Sequence, residues 1–167
     1  ALFGPRSRAV FETTGDAARN VRSPLYPPAG AVGGSGVMVL RANGEAAGLT
    51  TAADVIAYQT GLAQLRGLEQ LSFLPGALAD HLTSFGGVLD GTGGQSTALE
   101  WISAGATASH GTVSEPCNHR QKFPHPQVLL LNYLQGSTAI EAYWRSVLWP
   151  GQGLFVGEPL AAPFARR

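Results

Sequence analysis

Hydrophobic positions first organise this chain at residues 37–40, where a short apolar run (VMVL) between glycine and Arg41 reads as a buried strand. Ala52, Val55, Ile56, Gln59, Leu62 and Ala63 give a mostly apolar face at helical spacing, and Thr51 with Asp54 resembles a cap, so the spacing predicts a helix over about 52–64. Residues 68–74 read as a strand ended by Pro75-Gly76, and 77–83 as either a strand or one helical turn. Five glycines between Gly86 and Gly94 demand a sharply bent loop or close backbone contact. A helix is expected from Gln95 or Ser96 to Gly105, with Ala98, Leu99 and Ile102 on its apolar face. Small residues over 106–113 read as a tightly packed central strand. Helices follow at 128–134 and 138–148, and a last strand at 154–156.

This alternation predicts an α/β domain of three layers, a mainly parallel sheet flanked by helices. Residues 1–36 look different. They are rich in proline and glycine, weakly periodic, and carry Arg6, Arg8, Arg19 and Arg22. They read as an extended arm laid over something else, leaving 37–167 as the α/β domain or half-domain.

Composition narrows the function. Eleven basic and eleven acidic residues cancel, and only 13% of residues are charged. That excludes a basic nucleic-acid binder of the usual kind and a highly charged disordered tail. No lysine or arginine lies between Gly67 and His119, a stretch that contains Glu69, Asp80, Asp90, Glu100 and Glu115. One cysteine, Cys117, rules out an intrachain disulfide framework. No apolar run reaches the length of a membrane span, and the chain shows no targeting signal. There is no dinucleotide fingerprint, P-loop, zinc-finger spacing or G-x-S-x-G elbow, so no cofactor is expected.

Candidate chemistry falls into two segments, 80–87 and 109–119. In the first, Ser84 would be a nucleophile, His81 or a histidine from a missing half its base, and Asp80 or Glu115 the group orienting the base, with Gly86-Gly87 amides as an oxyanion hole. In the second, Cys117 is the alternative nucleophile, His110, His119 or His81 its imidazole, and Glu115 the orienting carboxylate. A metal-dependent hydrolase around His110, Glu115 and His119 is a further alternative. Each has a plainer reading: a turn serine, an inert packed thiol, an exposed loop around Lys122.

Several motifs occur in order: FLPGALADHLTSFGG over 73–87, LEWISAGATASHGTVSEPCN over 99–118, KFPHP over 122–126, EAYWRSV over 141–147 and PGQGLFVGEPL over 150–160. Together they resemble a family of largely uncharacterised bacterial proteins, often exported. That resemblance implies a chain of about twice this length, of which this is the C-terminal half, with a second polypeptide or a homo-oligomer as partner and a periplasmic or extracellular location. More distantly, the order strand, Ser84-Phe85-Gly86-Gly87, helix, Ala/Gly-rich strand is similar to the caspase/gingipain-type peptidase core. On that alignment the nucleophile's place falls near Ser84, where a cysteine would be expected, and the catalytic histidine would precede residue 68. The first histidine here is His81. The leading expectation is a hydrolase cleaving a small ester or peptide through Ser84 or Cys117. The alternative is a non-enzymatic exported binding or structural module.

Overall fold

The computed structural model describes residues 7–44, 49–115 and 118–165. They build one seven-stranded sheet: β1 (Ser7–Thr13), β2 (Gly30–Val32), β3 (Val37–Asn43), β4 (Ala52–Thr60), β5 (Leu71–His81), β6 (Ala108–Thr112) and β7 (Gly153–Gly157). The order across the sheet is β2-β3-β1-β4-β5-β6-β7. The five inner strands run parallel, while β2 and β7 close the two edges antiparallel. α1 (Ala98–Ser103) covers one face through Trp101, which packs with Val10, Tyr58, Leu71 and Phe73. α2 (Pro126–Leu134) and α3 (Ala139–Ser146) cover the other, where Leu130 meets Ala9, Phe11 and Ile56, and Tyr133 and Tyr143 meet Leu78 and Ala108. The fold is thus the expected mainly parallel, three-layer α/β arrangement.

Three sequence expectations are corrected, the third at Pro75-Gly76. The first is the arm over residues 1–36: residues 7–13 form β1, a central strand paired on both sides. Its Ala-Val-Phe core is only three residues long and is followed by Glu12, which hides the strand from a hydropathy reading. Glu12 is nevertheless fully buried, because Thr50 N–H, Thr50 Oγ1 and Thr60 Oγ1 all donate to its carboxylate (2.7, 2.6 and 3.0 Å). The second is the helix over 52–64, which is β4. A strand buried on both faces carries apolar residues at every position, and such a run mimics helical spacing. The register shifts between Ala52 and Ala57, and Asp54 takes a left-handed φ of 55° there. That bulge sends Val55 to the α1 side and Ile56 with Ala57 to the α2 side.

Pro75-Gly76 does not end β5. Its register against β4 jumps from Phe73 to Leu78 while β4 advances only from Val55 to Ala57. The proline therefore sits in the irregularity, where its missing N–H costs no ladder bond. α1 begins on a capping box, Thr97 with Glu100, and α3 on another, Thr138 with Glu141.

The glycines of 86–87 act through contact. A Cβ on Gly111 would stand 2.2 Å from the Gly86 carbonyl carbon and 2.3 Å from Gly87 N. The loop after β5 lies directly on the backbone of β6, and only glycine permits that approach. Gly111→Ala is expected to lower stability by roughly 1–3 kcal/mol through forced separation of the two backbones. Gly151→Ala, in open space, should change it by less than about 0.5 kcal/mol. Urea midpoints of the two variants check this, and equal midpoints would contradict the contact.

Candidate functional site

Parallel strands deliver their carboxyl ends to one edge of the sheet, the usual place for a ligand in an α/β protein. Here that edge is Thr13, Thr60, His81 and Thr112 with the loops that follow. Asp80 and His81 are neighbours in the chain and point to opposite faces of the sheet, as consecutive strand residues must.

His81 lies on the α1 side. Trp101 Nε1–H donates to its Nδ1 (2.9 Å), and since indole only donates, Nδ1 carries no proton. Nε2–H then donates to the Ser96 carbonyl (3.0 Å). Both nitrogens are engaged, and burial pulls the imidazole down to about 4. The expected role as base for Ser84 is therefore not what this geometry offers.

Asp80 lies on the α2/α3 side. Its Oδ1 accepts from Arg22 Nη1 at 2.6 Å and its Oδ2 from Gln59 Nε2 at 2.8 Å. Both charged side chains are 1% exposed. Arg22 also donates to the carbonyls of Thr60 (3.1 Å) and Pro124 (3.2 Å). Asp80 thus pairs with Arg22 and orients no histidine.

Ser84 sits just beyond β5, half-buried. Its carbonyl, like that of Thr83, accepts from Thr112 Oγ1 (2.8 Å each). Among the described residues its hydroxyl has no base hydrogen-bonded to it. The Gly87 amide of the expected oxyanion hole donates to the Thr112 carbonyl (2.8 Å), and the Phe85 amide to Gln95 Oε1 (3.0 Å).

The second segment does not converge. His110 is buried, with neither ring nitrogen hydrogen-bonded among the described residues. It stacks on Tyr143 (6.1 Å between centroids) and meets Trp144 edge-on, and burial draws it down to about 3. Glu115 is exposed on the following loop, and Cys117 lies outside the described residues. His119 is exposed against Trp149. Among the described residues no three His, Cys, Asp or Glu side chains are gathered to hold a metal. A groove of about 570 Å³ opens beside Val32, Leu130 and Leu134. It adjoins the turn before β3 and so lies at the amino edge, away from these groups.

Sequence reasoning missed Arg22, Gln59, Arg19 and Glu12. Arg22 and Arg19 stood out only as charges in a supposed arm. Gln59 was assigned to the face of the expected helix over 52–64, and Glu12 was hidden because a buried strand with a polar end carries no period of its own.

No protein family, curated protein or solved structure matches the chain. Among the described residues no helix is long and apolar enough to cross a membrane. Fold and edge together define a mixed, mainly parallel α/β protein whose carboxyl-edge polar groups are largely bonded to one another.

Removing one partner of a buried pair strands the other charge. Arg22→Met is therefore expected to cost about 3–5 kcal/mol, measured by urea denaturation at pH 7. A loss below about 1 kcal/mol would mean that water reaches Asp80.

Stability should also fall on mild acidification. His81 and His110 stay neutral in the folded state well below their unfolded pKa of about 6.5. The unfolded chain then binds more protons, so their contribution is complete above about 6.5 and declines as pH falls towards 4 and 3. Each histidine is expected to remove about 1.4 kcal/mol per pH unit inside its window. Urea midpoints between pH 7 and 5, where carboxylates remain ionised, check this. A flat profile would show that the two imidazoles protonate in place.

Proposed function

We propose that this domain is a non-catalytic binding module on a hydrolase-type α/β scaffold, with its ligand crevice at the carboxyl edge over β5 and β6. The observation that carries the reading is the state of His81: buried, neutral, and committed through both nitrogens to Trp101 and Ser96. A serine nucleophile needs an imidazole or equivalent base within hydrogen-bond reach. The candidate nearest in sequence is spent on holding α1 against the sheet. Asp80 is equally committed, to Arg22 and Gln59.

The scaffold part rests on resemblance and on order. β5, the Ser84 loop, α1 and β6 follow one another as in the caspase/gingipain-type core, which would put Ser84 at the nucleophile's place. The base of that core would precede residue 68, where this chain has no histidine. The wider family resemblance supports an exported, periplasmic or extracellular setting, with a second polypeptide or a second copy of the chain as partner.

A second reading, a hydrolase cleaving a small ester or peptide, is favoured by one feature. Ser84 is half-exposed at a strand end beside two glycines, with its hydroxyl unengaged among the described residues. Its base would come from outside these residues, and Cys117 would be its alternative nucleophile.

A fluorophosphonate probe separates the two. The expected result is no covalent adduct by intact mass at pH 7.5. An adduct that Ser84→Ala abolishes would establish the hydrolase in place of the binding module.

A further inference from the structure

Residues 14–22 cross the carboxyl ends of β4 and β5. The Arg19 carbonyl oxygen presses on Gly61 so closely that a Cβ there would stand 2.1 Å from it. Thr14 Oγ1 donates to the Gly61 carbonyl (2.8 Å), and Asn118 Nδ2 to the carbonyl of Ala18. The segment is therefore fixed over the strand ends, and it carries a guanidinium to the end of β5. Arg19 Nε donates to Thr83 Oγ1 at 3.1 Å, one residue before Ser84.

The remainder of that guanidinium faces outward. Its Nη1 pairs with Asp16 Oδ2 at 2.7 Å, the two side chains being 24% and 27% exposed. Arg22, one turn further on, is consumed by Asp80. The stretch from Gly67 to His119, which carries Thr83 and Ser84, supplies no cation. Arg19 is placed to meet an anion at Ser84, and its present occupant is a carboxylate from its own turn.

We infer that the crevice beside Ser84 binds a carboxylate-bearing ligand, with Arg19 receiving the ligand's carboxylate in place of Asp16. The inference rests on reading this edge as a binding site. A guanidinium is suited to it, because its planar fork matches two carboxylate oxygens. Displacing Asp16 costs little, since an exposed pair changes an equilibrium by no more than about fivefold. The turn survives the exchange: Asp16 Oδ1 separately accepts the Arg19 backbone N–H (3.1 Å), and Arg19 N and Asn20 N both donate to the Asp16 carbonyl. Asp16→Asn can keep that Oδ1 bond and remove only the competing charge.

The test is NMR titration, following the Arg19 Nε–H signal, with three probes: acetyl-dialanine as the free acid, the same peptide as its C-terminal amide, and propionate. The free acid is expected to shift the signal and the amide to leave it unmoved. Propionate matching the peptide acid would assign a small organic acid, and the peptide acid alone a peptide C-terminus. Arg19→Gln, followed through the backbone amide signals of Thr83 and Ser84, should weaken acid binding about 10- to 100-fold, the usual range for a lost charged hydrogen bond. Asp16→Asn should strengthen it by up to about fivefold. Equal binding of acid and amide, unchanged affinity in Arg19→Gln, or no shift in either the wild type or Asp16→Asn would overturn the inference. A fluorophosphonate adduct at Ser84 would overturn the non-catalytic reading and leave carboxylate selectivity intact, so the two failures are distinguishable.

Discussion

The ion pair between Arg22 and Asp80 is the contact on which the carboxyl edge depends. Two opposite charges at 2.6 Å, both almost wholly removed from water, hold together segments distant in sequence. Arg22 stands beside a short 3-10 turn at Ser23–Leu25, Asp80 lies near the end of β5, and the same guanidinium binds carbonyls at the end of β4 and in the loop before α2. A buried pair gains little net stability over well-packed apolar groups, because desolvation offsets attraction. Its effect is directional: a planar fork bonded to three oxygens on three segments admits few other arrangements. Residues 14–22 are thereby kept over the strand ends, where Arg19 meets Thr83.

Neutral donors do the same work at the neighbouring strand. The Glu12 carboxylate, at the end of β1, gathers two donors from Thr50 and one from Thr60. It ties the approach to β4 onto the edge without a cation. On the α1 side the Trp101–His81–Ser96 chain of hydrogen bonds fixes the helix against β5. Three buried polar groups therefore serve as fasteners along the carboxyl edge. Ser84 and the Arg19–Asp16 pair remain partly exposed there.

Glycine supplies what polar groups cannot. The loop from β5 rests on β6 through Gly86, Gly87 and Gly111, and the Gly87 amide closes the contact on Thr112. This explains a glycine-rich run that, as sequence, is equally compatible with an oxyanion hole. Backbone contact and oxyanion binding use the same residue for the same reason, the absence of a side chain, and only the partner distinguishes them.

The amino-acid sequence by itself determined the α/β class, β3 and β6, the helix before β6 and the two after it, and the last strand. Local signals mark these elements: Gly105 and Gly136 as helix stops and small residues in the packed strand, with Thr97–Glu100 and Thr138–Glu141 boxes found at the starts of α1 and α3. It also marked 80–87 and 109–119 as the chemistry-bearing segments. What only the tertiary structure decided was β1, β4 and the partners of every buried polar side chain. β1 and β4 are covered on both faces, so neither shows the two-residue alternation that identifies a half-exposed strand. Whether Asp80 pairs with His81 or Arg22 depends on which face each occupies and on what a segment 58 residues away brings there. That information resides in the packing, because hydrogen-bond partners at long range are chosen by the fold and leave no period in the chain.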